Sequence, residues 1–421
     1  MLQDGQAHRR TLRSVALFVS LPLGFLSFIL PVYGEAVGAS PVAIGALFSV
    51  FSLVTVLFRP VIGAGVDRYG RRPFLLAGIG VYVGTQVVFA LWQSYHGLFV
   101  ARLLHGLASS LFWLAVYASI ADTSPEGERG RHYGGVAEAQ SRGALFGALG
   151  GFALLMMLGG RLETGLRLVF LAYALLAAAG WITGWRRLRE TLPEPGPRPA
   201  QAVGPNVRRP GAPGRDPLAE GAPHLPKWFY SRLLAIVLLT TASNSLLAPL
   251  MILYLRQHVE REVGLLAIAY IPAALVWSLL PSTMGRLSDR FGRTRAMTVG
   301  LAAGALTSFA IPQLRSLLGL SGLWAVEAGA LSLAVPAEQA LVSDVTGHRR
   351  RGLAYGYYEL ASGLGNIVGP LVGMWVYQSV GTAAPFYLNA GLLALAAVLV
   401  PLILGRALGA PARQDAGAAK G

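Results

Sequence analysis

Three ionisable side chains stand inside long apolar runs, where only chemistry or pairing would keep them. Arg102-Leu-Leu-His105 sets a guanidinium and an imidazole one helical turn apart, and Glu327 lies 222 positions beyond His105 in another apolar run. Ionisable groups within such spans are costly and mark a pathway, a proton site or an internal pair. Desolvation raises a carboxyl's affinity for a proton and a nearby cation lowers it, so a carboxyl and an imidazole in changing surroundings can load and release protons. The bland alternatives are a glutamate hydrogen-bonded to a neighbouring Ser or Tyr and a histidine that only packs.

Other charges are less pointed. Glu138 and Arg142 are four apart in the favourable order, which suits an intrahelical pair as well as a transport role. Glu338 and Glu359 fall within two turns of one end of their spans, where they can reach water or interhelical partners, as vestibule or gate residues. Arg59 is expected to join the charges around Asp67, and Glu35 to be solvated at the opposite mouth. Trp113, Tyr117, Asn244 and Trp324, with Phe25 and Phe28, are candidates to contact a substrate through apolar surface with a few polar fixes.

Bond-making chemistry has no support. The chain lacks a Gly-x-x-x-x-Gly-Lys-Ser/Thr phosphate loop, His-Glu-x-x-His and Gly-x-Ser-x-Gly, and its lysines are Lys227 and Lys420. With no Cys, disulfides and thiolate metal sites are excluded. Neither cofactor nor metal is expected, and the chain does not read as an enzyme.

The elements that must hold these charges are membrane spans. Of 421 residues 54% are hydrophobic and 13% charged, and apolar runs of about 20 residues match a hydrocarbon core of about 30 Å. They fall near 14–35, 42–66, 73–95, 97–121, 133–158 and 166–187, then 229–255, 263–284, 295–315, 319–343, 353–379 and 384–405. The first run is too long for a cleaved signal's apolar region and reads as a retained helix. The fold class expected is all-α integral membrane, with twelve transmembrane helices in two six-helix bundles.

The second six repeat the first. Gly63-Ala-Gly-Val-Asp67-Arg68-Tyr-Gly70-Arg71-Arg72 returns 222 positions later as Gly285-Arg-Leu-Ser-Asp289-Arg290-Phe-Gly292-Arg293-Thr294. Asp122, Arg129, Tyr133, Gly143, Gly147 and Gly151 likewise match Asp344, Arg351, Tyr355, Gly365, Gly369 and Gly373. Internal repeats of this size are how many secondary transporters are built. The expected units are a bundle over 1–189, a Pro/Gly/Arg-rich linker over 190–228, a second bundle over 229–408 and a tail over 409–421.

Net charge is +15, with basic residues clustered between apolar runs rather than along one surface, so nucleic acid is not an expected partner. Placing the N-terminus in the cytoplasm leaves 27 of the 35 Lys and Arg residues on that side and five on the other. The positive-inside rule then puts both termini in the cytoplasm, with the linker extended there. Its arginines serve as an orientation signal, with contact to anionic lipid heads the lesser role.

Twelve spans in two halves, with Gly-x-x-x-Asp-Arg-x-Gly-Arg-Arg after span 2 and again, with Thr294 for the last Arg, after span 8, resemble the major facilitator superfamily. The resemblance covers the chain apart from tails and linker, and its motifs are specific for the superfamily rather than for a substrate. It implies a cytoplasmic gate in which Asp67 faces the start of span 11 and Arg71 pairs with Asp122, with Asp289, Arg293 and Asp344 as the second set. The motif's two glycines are expected to form a tight turn.

Arg102-Leu-Leu-His105-Gly106 resembles the family's Arg-x-x-Gln-Gly pattern of proton-coupled antiporters, with His for Gln. Gly143-x-x-x-Gly147-Ala148-x-x-Gly151 and Gly365-x-x-x-Gly369-Pro370-x-x-Gly373 resemble the glycine-rich motif of the drug-export branch, with Ala148 where that motif has Pro. The plain reading of such spacing is close helix packing.

The family fold lines its central cavity with spans 1, 4, 7 and 10, which would let His105 and Glu327 face one another. The function expected is proton-coupled efflux of drug-like or sugar-like solutes by alternating access, the partners being a small-molecule substrate, protons and the lipid bilayer. A monomer in a bacterial inner (cell) membrane is expected. The alternatives are uptake by a symporter or facilitator, which the direction of flux in energised vesicles would separate, and a non-transporting receptor or scaffold, which would have less need of two matched gates.

Overall fold

The computed structural model describes residues 2–124, 128–158, 162–192, 227–260, 262–346 and 351–408. Within them the chain is helical: α1 (Leu2–Ala36), α2 (Pro41–Tyr69), α3 (Arg71–Leu91), α4 (Tyr95–Thr123), α5 (Arg129–Met157) and α6 (Leu162–Arg187) form one half. The second half holds α7 (Lys227–Leu246), α8 (Leu250–His258), α9 (Val263–Leu279), α10 (Pro281–Phe291), α11 (Arg293–Ala310), α12 (Leu317–Thr346), α13 (Arg351–Ser379) and α14 (Ala384–Leu408).

Ten helical segments among the described residues are long and apolar enough to cross a membrane. The other two spans are α5, whose apolar run is interrupted by Glu138 and Arg142, and the pair α9–α10. Span 7 is α7 and α8 in succession, because Pro249 brings no N–H to the ladder where the two meet. Span 8 was expected to run unbroken over 263–284; it divides at Leu280, where Pro281 opens α10 and the helix continues to Phe291. Proline suits a first helical turn and not an interior. Elsewhere Ser40 and Ser94 cap α2 and α4 by accepting from the N–H groups of Ala43 and Gly97, each at 3.3 Å.

Helix neighbours repeat between the halves. In the first, α1 packs on α5 and α6, α4 on α2 and α3, and α3 on α6; in the second, α7 packs on α13 and α14, α12 on α9 and α11, and α11 on α14. The glycine stripes lie in these seams. A Cβ at Gly143 would sit 2.5 Å from the Leu17 carbonyl, and one at Gly147 would fall on the Leu21 carbonyl, so α5 rests on α1 backbone to backbone. Gly365, Gly369 and Gly373 place α13 on Ala242, Ser245 and Leu246 of α7 in the same way.

The halves meet unequally at their two ends. Call the end that carries residues 5–13 and the close of α6 the terminal end, and the other the far end. At the far end one core cluster joins Tyr33, Leu47, Phe89 and Phe170 of the first half to Leu253, Tyr254, Trp324 and Phe386 of the second. Toward the terminal end each half keeps its own cluster, around Leu12, Leu75 and Phe112 in one and Leu233, Leu301 and Leu393 in the other. The halves are thus packed together at the far end and parted at the terminal end.

Candidate functional site

Between the halves lies a cavity of about 1100 Å³. From the first half α1 gives it Phe28, α2 gives Phe48 and Phe51, and α4 gives Arg102 and His105; from the second come Asn244, Tyr270, Trp324, Glu327, Asn366 and Asn389. The structure thus brings Arg102, His105, Asn244, Trp324 and Glu327 to the wall of one space. Its character is aromatic with a few convergent polar groups, the usual make-up of a site for a small organic molecule.

Arg102 and His105 are held rigidly. Arg102 Nε donates to the Leu47 carbonyl at 2.8 Å, and its guanidinium carbon sits 4.6 Å from the centre of the Phe51 ring and 5.5 Å from that of Phe48. Its Nη1 lies 3.1 Å from His105 Nδ1. A guanidinium can only donate, so Nδ1 is the acceptor and the imidazole is neutral with its proton on Nε2. The His105 ring packs between Phe51 and Tyr82, centroids at 4.9 and 5.5 Å. Across the cavity Trp324, one turn before Glu327, packs edge-on to Tyr270 at 5.7 Å.

Other expected residues lie elsewhere. Glu138 and Arg142 bridge one another at 2.5 Å on an exposed face of α5, an intrahelical pair outside the cavity lining. Trp113 is buried in the terminal-end cluster of the first half against Phe112, and Tyr117 is exposed beside Trp113 and Tyr133; neither lines the cavity.

At the terminal end the motif residues meet. Gly63 lies inside α2, with open space where a Cβ would go, and Asp67 and Arg68 continue the helix; the turn is made by Gly70 alone, at φ +100°. The expected two-glycine turn is therefore a single left-handed residue, which an L side chain would strain. Arg71 follows at the head of α3, buried, with Nε 2.9 Å from Asp122 Oδ2, Nη1 donating to the Val66 carbonyl at 2.8 Å, and Asp67 at 3.4 Å.

Asp67 itself is 76% exposed, its described ion pair being that with Arg71. In the second copy Gly292 repeats the turn at φ +91° between α10 and α11, and Arg290 is exposed. The side chains of Asp289 and Asp344, the surroundings of Gly285 and the first side chains of α13 lie outside the described residues.

One placement corrects the sequence reading and two sharpen it. Arg59 does not join Asp67; it reaches across the halves to Glu359 at 2.6 Å, because its face of α2 lies along α13. Glu35 is exposed at the far mouth, as expected, and there it also pairs with Arg256 of α8, joining the halves. Glu338 takes interhelical partners rather than water, because that face of α12 packs against α7 and α13.

Sequence reasoning also missed Glu190. Its carboxylate accepts the N–H groups of Arg71 and Arg72 at 2.8 and 3.0 Å, capping α3, while Thr191 reaches Asp122 at 3.3 Å. Burial works to raise the Glu190 pKa, but the N–H groups of Arg71, Leu192, Arg72 and Thr191 outweigh it and hold the group below its ordinary value. An acid just beyond span 6, on the same side as the motif, was the available signal.

Two repeated helical bundles around one central, ligand-sized cavity define a membrane carrier rather than an enzyme. The Major Facilitator Superfamily model matches residues 14–326 and 233–420, and the chain belongs to that superfamily. Over 389 residues it is 23% identical to multidrug resistance protein 1 of Bacillus subtilis, covering 91% of this chain and 93% of that one. It is 28% identical over 380 residues to the class G tetracycline resistance protein of Vibrio anguillarum, covering 86% and 89%. Among solved structures, a bacterial homologue of the human lysosomal transporter Spinster, inward-facing and occupied, shares the fold at a TM-score of 0.75 and 17% identity, over 94% of this chain and 96% of that one.

Proposed function

We propose that this chain is a proton-coupled exporter of small, partly hydrophobic organic compounds, drug-like or sugar-like, working by rocking of the bundles 1–189 and 229–408 about the central cavity. One observation carries the reading: Arg102 and His105 on one wall and Glu327 on the other line the same space between the moving halves. A carboxyl and a neutral imidazole there would exchange wet for dry surroundings as the halves rock, which alters their hold on a proton. The multidrug and tetracycline resistance names of the relatives favour drug efflux.

The terminal end is cytoplasmic in this reading, by the placement of basic loops, and both termini and the linker 190–228 lie there. The conformation described is then open to the cytoplasm, ready to load. Asp67, Arg71 and Asp122, with the second set around Arg293, act as the cytoplasmic gate, which forms fully when that end closes on the start of α13. The protein works as a monomer in a bacterial inner membrane, bound to lipid and substrate and to no nucleic acid.

The test is purified protein in liposomes with an internal pH dye, challenged with a panel of drugs and sugars. Proton movement opposite to substrate supports the reading. Substrate flux with no proton movement would replace it with a facilitator.

A further inference from the structure

A second carboxyl lies in the membrane part of the chain, away from the cavity. Glu338 of α12 is 7% exposed and is not among the residues lining the central space. Its Oε2 is 2.8 Å from Thr240 Oγ1 of α7, and its Oε1 is 3.4 Å from the Tyr358 hydroxyl of α13. No basic side chain among the described residues forms an ion pair with it, and Glu359, the next residue to Tyr358, is engaged by Arg59.

Hydrogen counting limits what this contact can be, and burial away from any described basic partner chooses between the options. Thr240 Oγ1 is also 3.1 Å from the Val237 carbonyl, which can only accept. A hydroxyl has one hydrogen. If it goes to Val237, the 2.8 Å contact with Glu338 needs a hydrogen from the carboxyl; if it goes to Glu338, the Val237 carbonyl keeps the backbone N–H of its own helical turn. The arrangement satisfies every group when Glu338 is a neutral acid donating to Thr240, Thr240 donates to Val237 and Tyr358 donates to the other carboxyl oxygen. An ionised carboxylate would instead rest on two neutral hydroxyls in a buried seam, which is a poor exchange for its hydration.

We infer that Glu338 is a proton-binding site separate from the cavity, carrying its proton in the conformation parted at the terminal end. The site spans α7, α12 and α13, so any rearrangement among those helices changes its donors and its access to water. That gives the second half a proton store with no counterpart at the 222-offset position of the first half, where Val116 stands. Its use in the transport cycle rests on the proton-coupled reading above; proton binding itself does not.

The test is infrared difference spectroscopy of the full chain in lipid across a pH titration, reading the C=O stretch of protonated carboxylic acids. A band present in the wild type and in Glu327→Gln but lost in Glu338→Gln is expected, shifted in frequency in Tyr358→Phe and Thr240→Val. If Glu338→Gln retains every such band of the wild type, Glu338 is ionised and the inference falls. Should that variant fail to fold, unshifted bands in both hydroxyl variants overturn it equally. Proton flux in the liposome assay is a separate readout, so a wild type that moves no protons would remove the coupled transport reading while leaving the infrared result to decide Glu338.

Discussion

Arg59 of α2 and Glu359 of α13 meet at 2.6 Å across the boundary between the two halves. Above them along the same seam, Ser49 donates to the Ile367 carbonyl at 2.6 Å and Gly45 lies against Pro370 and Met374. The seam related to this one by the repeat is α5 with α9, where the described approach is that of Met156 to Gly264 near the far end. The two seams are equivalent in sequence and unequal in this conformation. That inequality makes the Arg59–Glu359 pair a candidate brace that sets how far the terminal end parts.

Both side chains are about half exposed, so the pair contributes no more than about 1 kcal/mol to folding. The same energy applied to an equilibrium between two conformations shifts it about five-fold. Arg59→Glu is therefore expected to leave thermal stability nearly unchanged and to change transport rate several-fold, with Arg59→Glu/Glu359→Arg returning toward wild type. Equal rates in all three proteins would show that the brace does not bias the cycle.

Glu327→Gln keeps the size and hydrogen-bonding reach of the side chain while removing its titration. Proton-driven accumulation is expected to be abolished and substrate-for-substrate exchange spared, because exchange needs the cavity without proton turnover. Liposome flux with and without an imposed pH gradient separates the two. Retained coupling would take Glu327 out of the mechanism.

Gly147→Leu asks whether the glycine stripe is packing. The Leu21 carbonyl occupies the place of a Cβ, so α5 must move off α1. A cost of about 1–3 kcal/mol is expected, read as a lowered melting temperature in detergent. Gly134→Ala, where a Cβ would meet open space, is the matched control and should melt near wild type.

How much of this was legible beforehand divides along a physical line. The spans, the repeat and the motif register were readable because they depend on local composition and spacing, and the superfamily followed from them. Which face a helix turns inward was not readable. Apolar residues surround α12 on all sides, so no periodicity announced that Glu327 lines the cavity while Glu338, eleven residues on, is sealed against Thr240. Partners contributed from the other half were equally silent, as Arg59 with Glu359 and Glu35 with Arg256 attest. The break at Pro281 was signalled by the proline itself, yet the long apolar run before it outweighed that signal.

Glu190 offers a prediction in which pH gives the direction. Its folded pKa lies below the ordinary glutamate value of 4.5, because N–H donors at the head of α3 outweigh the effect of burial. A group with a lowered folded pKa contributes stability in full above its unfolded value and loses it as pH falls through the folded one. Glu190→Gln removes that charge from a helix N-terminus, where negative charge is favoured. At neutral pH the variant should melt below wild type, and the gap should narrow below pH 4.5 and close as pH falls through the lower folded value, where the wild-type carboxylate also becomes protonated. Thermal unfolding of both proteins at neutral and acid pH measures this. A gap that persists undiminished in acid would mean that the side chain's shape, not its charge, holds α3 to the close of the first bundle.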